Sequence, residues 1–189
     1  MGIAGQFQKV MAPGGTMTND MLHFTPLDDG GATLRRAFGQ FGTGVTIITA
    51  QSDRGPLGMT ANSFSSVSLD PPLVLWSAAR RSLRHDAFVN ARHYCIHVLS
   101  ATQQDMAHHF ASQGEVFDAF DWSEGPNVVP VLSGCLATFH CEQYAVHPAG
   151  DHSLILGEIK QASVFGGPGS GLIFHQGSFG TFSSDRADQ

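Results

Sequence analysis

The stretch from Gly58 to Pro72, Gly-Met-Thr-Ala-Asn-Ser-Phe-Ser-Ser-Val-Ser-Leu-Asp-Pro-Pro, constrains this chain more than any other. Five hydroxyl side chains (Thr60, Ser63, Ser65, Ser66, Ser68) and the amide of Asn62 fall within nine residues, separated only by small or apolar groups. A solvated loop would carry Lys, Glu and Gly instead. A buried strand does not hold so many polar groups alone, because each unpaired one costs about 1–3 kcal/mol. The segment therefore reads as a strand whose donors and acceptors are filled from elsewhere. A flat heteroaromatic ligand bearing a phosphate is one group that would fill them.

Around this block the pattern is mainly β. Ala32 to Phe41 has helical spacing, with Leu34, Phe38 and Phe41 on one face and Gly42 and Gly44 ending it. Strands are expected at Val45–Ala50, through the hydroxyl block, and at Leu73–Ser77, Tyr94–Leu99, Cys135–Ala145, Leu154–Val164 and Leu172–His175. Ser82 is placed to cap a helix running to about Ala91, and Ser100-Ala-Thr-Gln103 has capping-box form before a helix towards Ala111. Gly114 to Pro130 reads as irregular, with Phe117, Phe120 and Trp122 tucked beneath it. His147 to His152 reads as a loop. Six or more strands with few helices imply an antiparallel barrel with helices packed outside.

Composition narrows the partners. The net charge is -6 and no run of Lys or Arg exists, which argues against nucleic acid and anionic membranes. No stretch approaches the roughly 20 apolar residues of a membrane span. Charged residues are only 14% of the chain, against roughly 25% in ordinary soluble domains. That shortfall implies surface buried against a second copy, in a two-fold homodimer. Three cysteines, Cys95, Cys135 and Cys141, are an odd count that suits a reduced, cytoplasmic setting. His140 and Cys141 are strand neighbours facing opposite ways, so no metal site is expected.

Phe41-Gly-Thr-Gly-Val45, the Gly58–Pro72 block, Leu73-Val-Leu75, Gly134-Cys-Leu-Ala137 and Gly150-Asp-His152 occur in this order. Together they resemble the short-chain flavin reductase family, the reductase partners of two-component flavin-dependent monooxygenases, from about Leu34 to Phe174. The resemblance implies an FMN-binding split β-barrel, antiparallel and mainly β with peripheral helices, assembled as a homodimer. It implies an enzyme that reduces FMN or FAD with NADH or NADPH and releases the reduced flavin to a separate oxygenase. Residues 25–182 would form that domain, between a disordered extension at 1–24 and a tail at 183–189.

By the same resemblance the flavin lies along Thr60, Ala61, Asn62, Ser63, Ser65 and Ser66. Ser77, Ser82 and Arg84 lie towards its phosphate, with Arg80 and Arg81 nearby. Ser82 reads equally as a helix cap. Phe64 points away from Ser63 and Ser65 and reads as core. His152 and Phe174 become nicotinamide contacts, and Asp151 caps the following strand. No catalytic side chain is implied, because a hydride passes directly between the cofactors, which carry the chemistry. Relatives often show an arginine near Phe174, where this chain has His175 and Gln176, so NADH against NADPH stays open, as does FMN against FAD. A flavin- or haem-binding module without turnover is the alternative on the same scaffold.

Overall fold

A computed structural model describes residues 16–18, 21–26 and 28–182. The chain divides into two units, Met1–Gly42 with His175–Gly177, and Thr43–Phe174 with Ser178–Gln189. In the first unit β1 (Thr16–Thr18) and β2 (Met21–His23) pair antiparallel ahead of helix α1 (Ala32–Phe38). A strand pair thus lies within the segment expected to be disordered; residues 1–15 and 19–20 and the tail at 183–189 lie outside the described residues. Helix α1 stops three residues before Phe41: Gly39 N–H still donates four residues back to Arg35 O, but Gln40 and Phe41 N–H donate only three back, to Ala37 O and Phe38 O.

The second unit begins with β3 (Thr43–Gly44), β4 (Thr46–Ser52), β5 (Gly55–Ala61), β6 (Ser65–Leu69) and β7 (Pro72–Ala79). Helix α2 (His85–Asn90), β8 (His93–Val98) and helix α3 (Gln104–Ser112) follow. The chain continues through β9 (Trp122–Glu124), β10 (Pro130–Leu132), β11 (Ala137–Ala149), β12 (His152–Val164), β13 (Leu172–His175) and β14 (Ser178–Thr181). It is mainly β and antiparallel, as expected. Among the described residues no helix is long and apolar enough to cross a membrane.

Seven strands form one sheet in the order β5-β4-β8-β11-β12-β7-β6. Its two edge strands are consecutive in the chain and joined only by Asn62, Ser63 and Phe64. Four peptide units reach at most about 14 Å. A flat sheet of seven strands would hold its edges roughly 29 Å apart. The sheet must therefore bend enough to bring the end of β5 within about 14 Å of the start of β6, although no ladder joins the two strands among the described residues.

Both faces of the curled sheet are covered. Ile48, Ala50, Trp76, Phe88, Tyr94 and Ile155 share one buried cluster, in which Trp76 meets Phe88 edge-on at 5.3 Å. Val45, Ile47, Phe110, Phe117 and Leu172 form a second cluster beneath helix α3, with Phe120 and Trp122 packed on it. Alternation along β4 sends Ile48 and Ile47 into the two clusters in turn. Fully buried His97 bolts β10 to the sheet: its Nδ1 lies 3.1 Å from Ile47 O, and its Nε2 accepts from Leu132 N–H at 3.1 Å.

Three local readings change. The hydroxyl block is not one strand, since β5 ends at Ala61 and β6 begins at Ser65. Ser82 does not cap α2: the helix starts at His85 with Arg84 in the cap position, while Ser82 O accepts from His85 N–H in a preceding turn. The segment from His147 to His152 is a tight hairpin, with β11 running through Pro148 to Ala149 and β12 starting at His152. Gly150 sits at φ 61 in the left-handed region of that turn, which favours glycine. Ahead of α3, which starts at Gln104 with Gln103 rather than Ser100 in the cap position, Ser100 N–H donates to Gln103 Oε1 at 2.9 Å.

Candidate cofactor site

Much of the hydroxyl block finds partners inside the protein. Thr60 donates to Ala107 O at 2.7 Å, tying β5 to helix α3. Ser63 lies where the β6–β7 register, continued from Ser65↔Leu75, would bring it opposite Ser77. There its side chain replaces the backbone: Ser77 N–H donates to Ser63 Oγ at 2.9 Å, and Ser63 Oγ donates to Ser77 O at 3.3 Å. This substitution is why the strand breaks after Ala61, for the ladder groups of Ser77 are satisfied while the main chain bends away. Ser65 donates to Ser66 O, and Ser68 Oγ accepts from Asp70 N–H. The inference that a ligand must satisfy all these groups is therefore too broad. Asn62, Ser65 and Ser66 remain exposed and able to meet one. Phe64 is packed against the core and stacks on Phe139 with centroids 5.8 Å apart.

The register carries Ser63 towards His152. Ser77 precedes Ala79 by two residues on β7, and Ala79 pairs with His152 on β12. Alternation points Ser77 and Ala79 to one face, and the paired His152 shares it, whereas Trp76, Ala78 and Ser153 face the core. His152 thus lies on the order of 10 Å from Ser77 on the same surface. Asp151 does not cap the strand; its Oδ1 sits 2.7 Å from His152 Nδ1. A carboxylate accepts only, so Nδ1 donates and Nε2 is turned outward. The hydrogen bond from His152, followed by its charge and that of Arg81, holds the Asp151 carboxyl below its ordinary range.

The turn from Arg80 to Arg84 packs beside this hairpin, with Arg80 N–H donating to Asp151 O at 2.9 Å. Ser82 Oγ accepts from Arg84 N–H at 3.2 Å, which leaves its own proton to donate outward. Arg80 and Arg81 are exposed and form no ion pair among the described residues. Arg84 is committed elsewhere: its guanidinium donates to Gly58 O, Phe110 O and Ala111 O at 2.7 to 2.9 Å, and burial lowers its pKa. It ends helix α3 and ties it to β5, which leaves Arg80, Arg81 and Ser82 as the polar side chains of this turn turned towards solvent.

Phe174 pairs with Thr43 on β3, three residues ahead of the Thr46↔Ala61 pair, and packs on Phe179 with centroids 5.2 Å apart. That places it near the Asn62 end, on the order of 10 Å from Ala61. Open clefts of about 550 and 500 Å³ share Arg54 and Leu83, and neither includes Asn62, Ser63 or His152. The strip is thus a polar surface that could lie along a flat ring and its phosphate tail. Among the described residues no three His, Cys, Asp or Glu side chains are grouped to hold a metal.

Residues 38–183 match the flavin reductase like domain. The chain is 49% identical over 160 residues to the FMN reductase (NADH) SmoA of Agrobacterium fabrum, covering 85% of this chain and 91% of that protein. It is 39% identical to the reductase component of the flavin-dependent trigonelline monooxygenase of Acinetobacter baylyi, of which it spans 50%. The Streptomyces globisporus NADH:FAD oxidoreductase SgcE6, solved in complex with NAD and FAD fragments, superposes with a TM-score of 0.80 at 36% identity, over 87% of this chain and 99% of that one.

Proposed function

This chain belongs to the flavin reductase like domain family, and on that premise we propose that it is an NADH-dependent flavin reductase supplying reduced flavin to a separate oxygenase. The observation that carries the reading is the single surface joining Asn62, Ser63, Ser77 and His152 through the β6–β7–β12 register. Asn62, Ser65 and Ser66 would meet the ring edge and ribityl chain, while Ser82, Arg80 and Arg81 hold the phosphate. His152, oriented by Asp151, would meet the nicotinamide from the hairpin end of the strip, and Phe174 would meet it from the Asn62 end. When bound, the flavin supplies the hydride acceptor and the nicotinamide the hydride. This protein's contribution is to bring the two rings together and keep them aligned.

The curled sheet with two unpaired edges supports a split barrel. A homodimer is supported by Val67 and Leu69 on exposed edge strand β6, 51% and 96% accessible, and by a site strip that lies on open surface. Three free cysteines and no disulfide among the described residues fit the cytoplasm.

Two substitutions test the division of the strip. Asn62→Ala should raise the Kd for oxidised flavin about tenfold with little change in the KM for NADH. His152→Ala should raise the KM for NADH by about tenfold and leave flavin affinity within about twofold of wild type. Fluorescence titration and steady-state NADH oxidation check both. Identical behaviour of the two variants would undo the assignment, and tight cofactor binding without turnover would favour the non-catalytic module.

A further inference from the structure

Behind the strand that presents His152 lies a chain of hydrogen bonds that the site does not use. Asp86 Oδ1 lies 2.7 Å from His85 Nδ1, and His85 Nε2 lies 3.0 Å from Ser153 Oγ. The carboxylate fixes the tautomer: Nδ1 donates to Asp86, so Nε2 accepts from the Ser153 hydroxyl. The three groups have the order of a hydrolytic triad, but Ser153 cannot act as a nucleophile. It is 5% exposed, faces the core, and lies inside the ladders to Ala78 and Pro148.

The connection matters for what it joins. His85 is the first residue of α2 and closes the turn Arg80–Arg84, while Ser153 directly follows His152. Among the described residues one other hydrogen bond ties that turn to the hairpin, from Arg80 N–H to Asp151 O. The turn is therefore pinned at both ends, by Arg80 in front and by His85 through the core side of β12. Arg81 and Ser82 lie between the pins. His85 is itself largely buried, with 14% side-chain accessibility, so the bond to Ser153 is shielded from competing water.

Resting on the function proposed above, we propose that His85 is a positioning residue. Through Ser153 it fixes the phosphate-holding turn in register with the hairpin that carries His152. Without the brace the turn is held to the hairpin by Arg80 alone, and the phosphate end of the flavin loses alignment while the ring end keeps its own.

That difference gives the test, because riboflavin carries the ring but no phosphate. Fluorescence titration of the full chain should give a His85→Ala variant whose Kd for FMN rises about tenfold, with riboflavin affinity within about twofold of wild type. His85→Gln, whose amide can still reach Ser153, should recover most of the FMN affinity. Ser153→Ala, a smaller change made from the other side of the bond, should repeat the selective loss if His85→Ala does not fold. Equal weakening of FMN and riboflavin, or no weakening of either in folded variants, overturns the brace. A wild-type protein that binds neither flavin overturns the proposed function instead.

Discussion

Replacing Gly157 with alanine should destabilise the protein by about 3 kcal/mol, seen as a fall in denaturant midpoint without a change in slope. Gly157 lies on β12 where it pairs with Val74 of β7. A Cβ at this position would stand 2.7 Å from Tyr94 Cζ and 2.9 Å from Cys141 Cβ, and closer still to the Tyr94 hydroxyl. Tyr94 cannot swing aside, since it is 1% exposed and wedged against Trp76 at a centroid distance of 6.1 Å. Its hydroxyl makes no hydrogen bond of good geometry among the described residues, and burial raises its pKa. Tyr94→Phe should therefore be nearly neutral by itself. Combined with Gly157→Ala it should recover about half the loss, a coupling expected of groups in direct contact. A Gly157→Ala protein within about 0.5 kcal/mol of wild type would show that the strand yields more easily than a close-packed core allows.

Acid should weaken the fold through His97. Its two ring nitrogens face an acceptor, Ile47 O, and a donor, Leu132 N–H, so only the neutral Nδ1–H tautomer satisfies both. Protonation would set an Nε2–H against the Leu132 N–H. Burial is the main reason that its pKa falls to about 4, with the Ile47 hydrogen bond opposing and His140 adding to the fall. In the unfolded chain the imidazole titrates near 6.5. Between these values the unfolded state binds the extra proton, so stability is full above about pH 6.5 and is lost as pH falls towards 4. The loss is on the order of 3 kcal/mol across that window. Paired carboxylates such as Asp151 and Glu142, whose pKa values are lowered, contribute further losses below their unfolded range. A His97→Gln protein separates the two effects, because an amide offers both donor and acceptor groups but no charge. Its denaturant midpoint should vary less between pH 6.5 and 4 than that of wild type. Parallel curves would remove His97 from the account.

What the sequence made legible was what short-range chemistry determines. Alternation and β-branched runs marked most strands, and the Gly-Asp-His turn was recognisable although its surroundings tightened from a loop into a hairpin. Long-range hydrogen bonds decided the rest. Ser63 looked like a ligand contact because nothing near it in the chain could satisfy it; its partner is Ser77, brought opposite by the register. Nothing local announced that the Arg84 guanidinium would donate to carbonyls at the end of helix α3. His85 and Ser153 are 68 residues apart, and only the β7–β12 pairing makes them neighbours. The single local clue was that Ser153 follows His152 and alternation turns it inward.

The proposed role of the surface joining Asn62 to His152 is to align a nicotinamide with a flavin. Anaerobic stopped-flow mixing of NADH with oxidised FMN or FAD, followed at the flavin absorbance band, tests it most directly. Bleaching should have a rate that rises in proportion to protein concentration and falls sharply in His152→Ala. Bleaching no faster than that of the two cofactors alone, with correctly folded wild-type protein present, would contradict it.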